Sequence, residues 1–179
     1  AVAGDPGNRL THLDEPANPY YAGLDTAKLT TPQWIGEEGV ELAIVLSIDD
    51  LRDPDRFEAF FRPVLERLKQ IDGRAALSCM GNRLDLAHPL LQKWQQEGVS
   101  IEAHTLDHPC PCLQKDDFVR AKTTYDQCVD QMFRLPGAHP VAYRMPCCDS
   151  MNSISPRFFA EIFGKTTPEG NFLHMDSSV

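Results

Sequence analysis

The pattern of apolar and polar positions divides the chain near residue 39. Up to residue 38 no apolar period is visible, and the stretch carries Pro6, Pro16, Pro19 and Pro32 together with Gly4, Gly7, Gly23 and Gly36. This composition predicts an extended arm or linker, with Tyr20, Tyr21 and Trp34 as its anchors. From 39 onward, periodic segments follow one another. Residues 40–48 (VELAIVLSI) are nearly all apolar and partly β-branched, which predicts a buried strand. Asp53-Pro54 then opens a helix, with Asp as N-cap and Pro at the first position. Phe57, Phe60, Phe61, Val64, Leu65 and Leu68 recur at helical spacing and predict one apolar face, while Pro63 predicts a kink or break.

The same signals repeat. Residues 74–80 read as a strand. Residues 89–97 read as a helix with Leu90, Leu91 and Trp94 inward and Gly98 as its stop. Residues 99–103 read as a strand, and 117–133 as a helix with Phe118, Ala121, Tyr125, Cys128, Val129 and Met132 on one face. Residues 141–143 read as a strand. Ser155-Pro156 opens a helix that buries Phe158, Phe159, Ile162 and Phe163, and 171–175 read as the fifth strand. Five strands alternating with four helices predict a parallel sheet, either open and doubly wound or closed as a barrel. Asp49-Asp50, rather than a Gly-rich phosphate loop, follows the first strand, which disfavours a dinucleotide-binding or P-loop fold.

At 179 residues the chain suits one domain. Lys and Arg number 17 against 26 Asp and Glu, a net charge of −9, which argues against a nucleic-acid partner and favours a neutral or cationic substrate. No apolar run approaches the roughly 18 residues of a membrane span. The six cysteines are Cys79, Cys110, Cys112, Cys128, Cys147 and Cys148. Cys79 and Cys128 fall at core positions. The other four form two close pairs, for which disulfides, reduced thiols and soft metal ligands are the competing readings.

Functional side chains of parallel α/β folds gather at the carboxyl ends of the strands. Asp49-Asp50 stands at the first such end, His104-Thr105-Leu106-Asp107-His108 at the third and Arg144-Met145-Pro146 at the fourth. Each alone is ordinary: a turn, a pair of loop histidines, a surface arginine. Together at one rim they make a different pattern. Two His and one carboxylate form a metal site with open positions, a second carboxylate can act as base, and an arginine can hold that base ionised. The same ligand set serves non-haem iron oxygenases, but those use all-β folds, against the βα alternation here. Asp107 is a candidate second-layer partner for a ligand histidine.

In order and spacing these segments resemble the polysaccharide deacetylase (NodB-homology) family of carbohydrate esterases. Ser47-Ile48-Asp49-Asp50 is similar to that family's T-F-D-D motif, His104-Thr105-Leu106-Asp107-His108 fits its H-S/T-x-x-H, and Arg144-Met145-Pro146 fits its R-x-P. The resemblance spans roughly residues 40–179. Beside the arm read over 1–38, it implies over 39–179 a distorted TIM-like (β/α) barrel, incomplete in this chain with about five parallel strands. A partner chain or a missing C-terminal segment would complete that barrel. It implies Asp49 as catalytic base activating a metal-bound water, with Arg144 orienting it. Asp50, His104 and His108 are then the ligands of one divalent metal ion, zinc first among the candidates, and Pro146 contacts substrate. The implied reaction removes acetyl groups from N- or O-acetylated sugars of a polysaccharide or oligosaccharide, in an extracytoplasmic or secreted protein. Two alternatives stand beside it: a non-catalytic metal- or carbohydrate-binding module, and a relative cleaving a non-sugar C–N amide bond. Asp176 is only a weak match to the family's fourth motif, whose Trp is missing. The family's L-x-H general acid would lie past residue 179, and His174 reads as structural.

Overall fold

The computed structural model describes residues 45–72, 77–110, 118–149 and 156–178. The arm expected over 1–38 and the first half of the strand expected over 40–48 lie outside them. The elements run β1 (Ser47–Leu51), α1 (Pro54–Asp72), β2 (Leu77–Gly81), α2 (Pro89–Gln96), β3 (Val99–Ala103), α3 (Phe118–Arg134), β4 (Ala142–Tyr143), α4 (Pro156–Phe158) and β5 (Met175–Asp176). All neighbouring strands pair in parallel, in the order β1-β2-β3-β4-β5. A doubly wound sheet reverses its order at a switch point. This one never does, so the five strands form a singly wound wall of the barrel type. Among the described residues no helix is long and apolar enough to cross a membrane.

Most elements form where the pattern places them. Asp53 caps α1, its Oδ1 accepting from the Arg56 amide at 3.2 Å, and His88 caps α2 through Nδ1. Phe61 and Leu65 of α1 pack with Leu91 and Trp94 of α2, all fully buried. The Trp94 indole donates to Glu58 at 2.6 Å, which satisfies the one polar atom this ring brings into the core.

Five expectations need correction. Among the described residues the first strand covers Ser47–Leu51 and so runs through both aspartates. It is not a fully buried strand: of its five residues only Leu51 is buried, and Asp50 is exposed. Among the described strands it pairs on one side only, which leaves its start open. Pro63 does not break α1, which runs on through it. It and Ala59 one turn earlier both face water, so the carbonyl deprived of a donor is solvated at little cost. Phe60 is 61% exposed, outside the apolar face to which the spacing assigns it. After Phe158 the fourth helix widens into a π turn over Phe159–Phe163, closed by Gly164 N donating to Phe159 O at 2.7 Å. The wider turn brings Phe158 and Ile162 inward and leaves Phe159 at the surface. The fifth strand begins only at Met175, because Asn171 closes a turn in which its backbone oxygen accepts from Thr167 N and its Nδ2 donates to Asp130.

Candidate active site

The carboxyl ends of β1, β3 and β4 bring the expected residues together. On β1 the pairing passes from Ile48↔Cys79 to Leu51↔Gly81, a bulge that takes three residues against two. Successive strand residues normally face opposite ways. The extra residue and the positive φ of Asp50 (65°) turn both aspartates to one rim. Asp49 Oδ1 accepts from Arg144 Nη1 at 2.8 Å. Asp50 Oδ1 lies 3.2 Å from His108 Nε2.

His104 leaves β3 buried, at 1% exposure, and its ring meets His108 with centroids 4.9 Å apart. Its Nδ1 is 2.7 Å from the carbonyl oxygen of Arg144. A carbonyl only accepts, so Nδ1 carries the proton and Nε2 keeps its lone pair. Burial holds the His104 pKa below the ordinary imidazole range, against the opposing pull of that hydrogen bond and of Asp49. The ring is therefore neutral at pH 7, as a metal ligand must be.

Ligand atoms of Asp50, His104 and His108 lie within 4.8 Å of one another. Two imidazoles and one carboxylate, with the first imidazole's tautomer fixed by a backbone carbonyl, fit a divalent cation with positions open for other ligands. The non-glycine residues with positive φ among those described are Asp50, Thr105, His108 and Cys147. All lie in the segments that form or flank this rim. Strain of this kind persists only where the surroundings over-determine it.

The supporting contacts explain how. Arg144 donates from Nε to the Ser177 carbonyl at 3.1 Å, so its head is fixed from both β1 and the segment after β5. Met145 N donates to Ser178 Oγ at 2.7 Å, and that hydroxyl donates on to Asp176 at 2.6 Å. Asp176 thus serves the R-x-P segment. Pro146 is buried at the start of a 3-10 turn, Pro146–Asp149. Asp107 does not serve a ligand histidine: it accepts from Thr124 Oγ1 and pairs with Arg120 at 3.6 Å. His174 stands exposed against Phe172. A disulfide joins Cys110, two residues past His108, to Cys147, three past Arg144. Cys79 and Cys128 are buried free thiols, whereas Cys112 and the side chain of Cys148 lie outside the described residues.

Two contributors escape the sequence reading. Asn82, just past β2 and 1% exposed, donates from Nδ2 to the carbonyls of His104 and Thr105, both at 2.8 Å. Its Oδ1 accepts from Arg52 Nε at 3.2 Å, and Arg52 Nη2 reaches Asp50 Oδ1 at 3.0 Å. Asn82 therefore ties the histidine segment of β3 to the aspartate segment of β1. The carboxyl-end rule, applied to β2 as well, points to Asn82. Nothing in the sequence marks Arg52.

No curated protein sequence matches the chain. A solved structure of the peptidoglycan deacetylase PdaC from Bacillus subtilis, a point mutant, is similar, with a TM-score of 0.48 and 17% identity over 66% of this chain. The chain spans about half of that protein, 54% of its length. The family model described as polysaccharide deacetylase matches residues 37–155. That stretch holds both aspartates, both histidines and the arginine of the rim, and by it the chain belongs to the polysaccharide deacetylase family.

Proposed function

We propose that the chain is a metal-dependent hydrolase that removes acetyl groups from N- or O-acetylated sugars of a polysaccharide. The observation that carries this reading is the Asp49–Arg144 ion pair, 2.8 Å long, set beside the Asp50, His104 and His108 donors. The two aspartates have different partners and so different tasks. Asp50 faces the imidazoles and completes the site of one divalent ion, with zinc the best fit to a carboxylate and two imidazoles. An ion held by these three residues would supply Lewis acidity toward a carbonyl oxygen and a bound water.

Asp49, paired with the Arg144 guanidinium, is the general base that takes a proton from the attacking water. Arg144 orients it through Nη1 while Nε holds the Ser177 carbonyl. In this reading Pro146 is the substrate-side residue of the R-x-P segment. The Cys110–Cys147 disulfide supports an extracytoplasmic or secreted location, because such bonds persist in oxidising compartments. The division into an arm (1–38) and a deacetylase-like domain (39–179) belongs to the same proposal.

The test is Asp49→Asn beside His104→Ala. Elemental analysis is expected to give about one equivalent of zinc in the wild type and in Asp49→Asn, and none in His104→Ala. Acetate release from acetylated chitin, peptidoglycan and xylan fragments is expected from the wild type alone. Zinc retained by His104→Ala, or full acetate release by Asp49→Asn, would sink the assignment.

A further inference from the structure

A cleft of about 500 Å³ opens directly beside the aspartate segment, lined by Asp50, Arg52, Asp53, Arg56, Phe57 and Phe60. Its size lies within the range of small-ligand sites, about 300–1,000 Å³. Most of its charges are already committed. Asp53 caps α1, Asp50 faces His108 and Arg52, and Arg52 also holds Asn82. Among the described residues the Arg56 guanidinium has no such partner. Arg56 and Phe60 stand one helical turn apart on α1, as lip neighbours. Phe60 is the exposed aromatic noted above, backed edge-to-face by Phe57 at 6.3 Å between centroids. An exposed ring offers a negative π face, which suits the C–H face of a sugar. An unpaired guanidinium offers a planar fork, which suits a carboxylate.

Resting on the deacetylase reading, we infer that this cleft is a subsite for the sugar next to the reacting unit, and that it selects a carboxylate-bearing sugar. Phe60 stacks on the ring and Arg56 pairs with the carboxylate. The net charge of −9 opposes acidic polymers at long range, and screening beyond about 8 Å confines that opposition. Recognition is therefore decided by the local guanidinium, and the preference for neutral or cationic substrates expected from overall charge reverses at this subsite.

The experiment compares ligands that differ in the carboxylate. The full chain carrying Asp49→Asn, supplemented with zinc so that turnover does not intervene, is titrated by NMR. The first ligand is the neutral disaccharide N,N′-diacetylchitobiose. The second is the disaccharide of N-acetylglucosamine and N-acetylmuramic acid, which adds an ether-linked carboxylate, and a third carries a uronic acid to separate ring from ether carboxylates. A charge-assisted pair predicts about tenfold tighter binding of at least one acidic disaccharide. Adding Arg56→Ala is expected to abolish that preference, and adding Phe60→Ala to weaken all ligands by a similar factor. Both side chains are exposed, and unchanged melting temperatures verify that folding is intact. Equal affinities for the three ligands, a preference that survives Arg56→Ala, or no binding of any ligand overturns the inference. Failure of the deacetylase reading shows elsewhere, as absence of acetate release by the wild type whatever the affinity ratio.

Discussion

Asn82→Ala separates positioning of the metal ligands from the ligands themselves. The substitution deletes both Nδ2 hydrogen bonds and the acceptor for Arg52. The carbonyls of His104 and Thr105 lose these donors, in a place where Asn82 itself is 1% and Thr105 0% exposed. An orphaned buried polar group costs about 1–3 kcal/mol, so the pair is worth roughly 2–6 kcal/mol of stability. A domain of this kind has about 5–15 kcal/mol in hand, so the variant folds but melts lower. The same deletion frees the His104–His108 segment from β2 and frees Arg52 from its second anchor, so Asp50 and the histidines no longer share a frame. Loss of a supporting contact of this type lowers metal affinity about 10–100-fold. Competition with a chromogenic chelator gives the zinc Kd, and melting with and without zinc gives the linked stability. Both a lower melting temperature without metal and a smaller zinc-induced rise are expected. If the melting temperature falls while the zinc Kd stays within about twofold of wild type, Asn82 is only a packing residue and the argument is refuted.

Three further outcomes are expected. Cys110→Ser opens a loop with a sequence separation of 37, for which chain entropy gives about 4 kcal/mol. Denaturant unfolding of the variant against the oxidised wild type measures it, and a loss below about 1 kcal/mol would contradict the loop-entropy account. Burial keeps the His104 pKa below its unfolded value, so the unfolded chain binds the extra proton first on acidification. Metal-free protein therefore keeps this contribution at neutral pH and loses it as pH falls from the ordinary imidazole value near 6.5 towards the lower folded one. His104→Asn should flatten that part of the melting-temperature profile. Burial also pushes the Cys128 thiol up to about 12 and the Cys79 thiol higher still, so neither should be alkylated at pH 8 in the folded protein, and both should be in denaturant.

What the sequence made legible depends on the range of the interaction involved. β3 appears at its expected residues because its apolar/polar alternation and the Gly98 stop are local signals. Asp53 is readable as a cap for the same reason: its bond reaches only to Arg56. The rim constellation is legible because strand ends are where parallel folds put chemistry, so Asp49, Asp50, His104, His108 and Arg144 can be grouped without knowing a single distance. The remainder is decided across the fold. β4 is only two residues long, and its start is held by the buried Glu102 of β3, whose Oε2 accepts from the amides of Val141 and Ala142 at 2.8 Å each. A lone Glu in an apolar strand carries no mark of that task. Phe60 satisfies the helical period and still faces outward, because period alone does not say how wide the covered stripe is. Arg52 is one exposed arginine among several until Asp50 and Asn82 are seen on either side of it.

The Cys110–Cys147 bond has a consequence for the chain as a connected object. It closes everything from Cys110 to Cys147, with α3 and β4 inside, into a covalent ring. A single backbone cut anywhere within that ring does not divide the protein into separable pieces, because the two ends stay tethered through sulfur. His108 stands just outside the ring and Arg144 just inside it, each within three residues of the junction. A cut between Cys110 and Arg144 thus leaves the two site segments tethered to each other through the junction. Under reducing conditions the same cut would sever the histidine side of the rim from the arginine side.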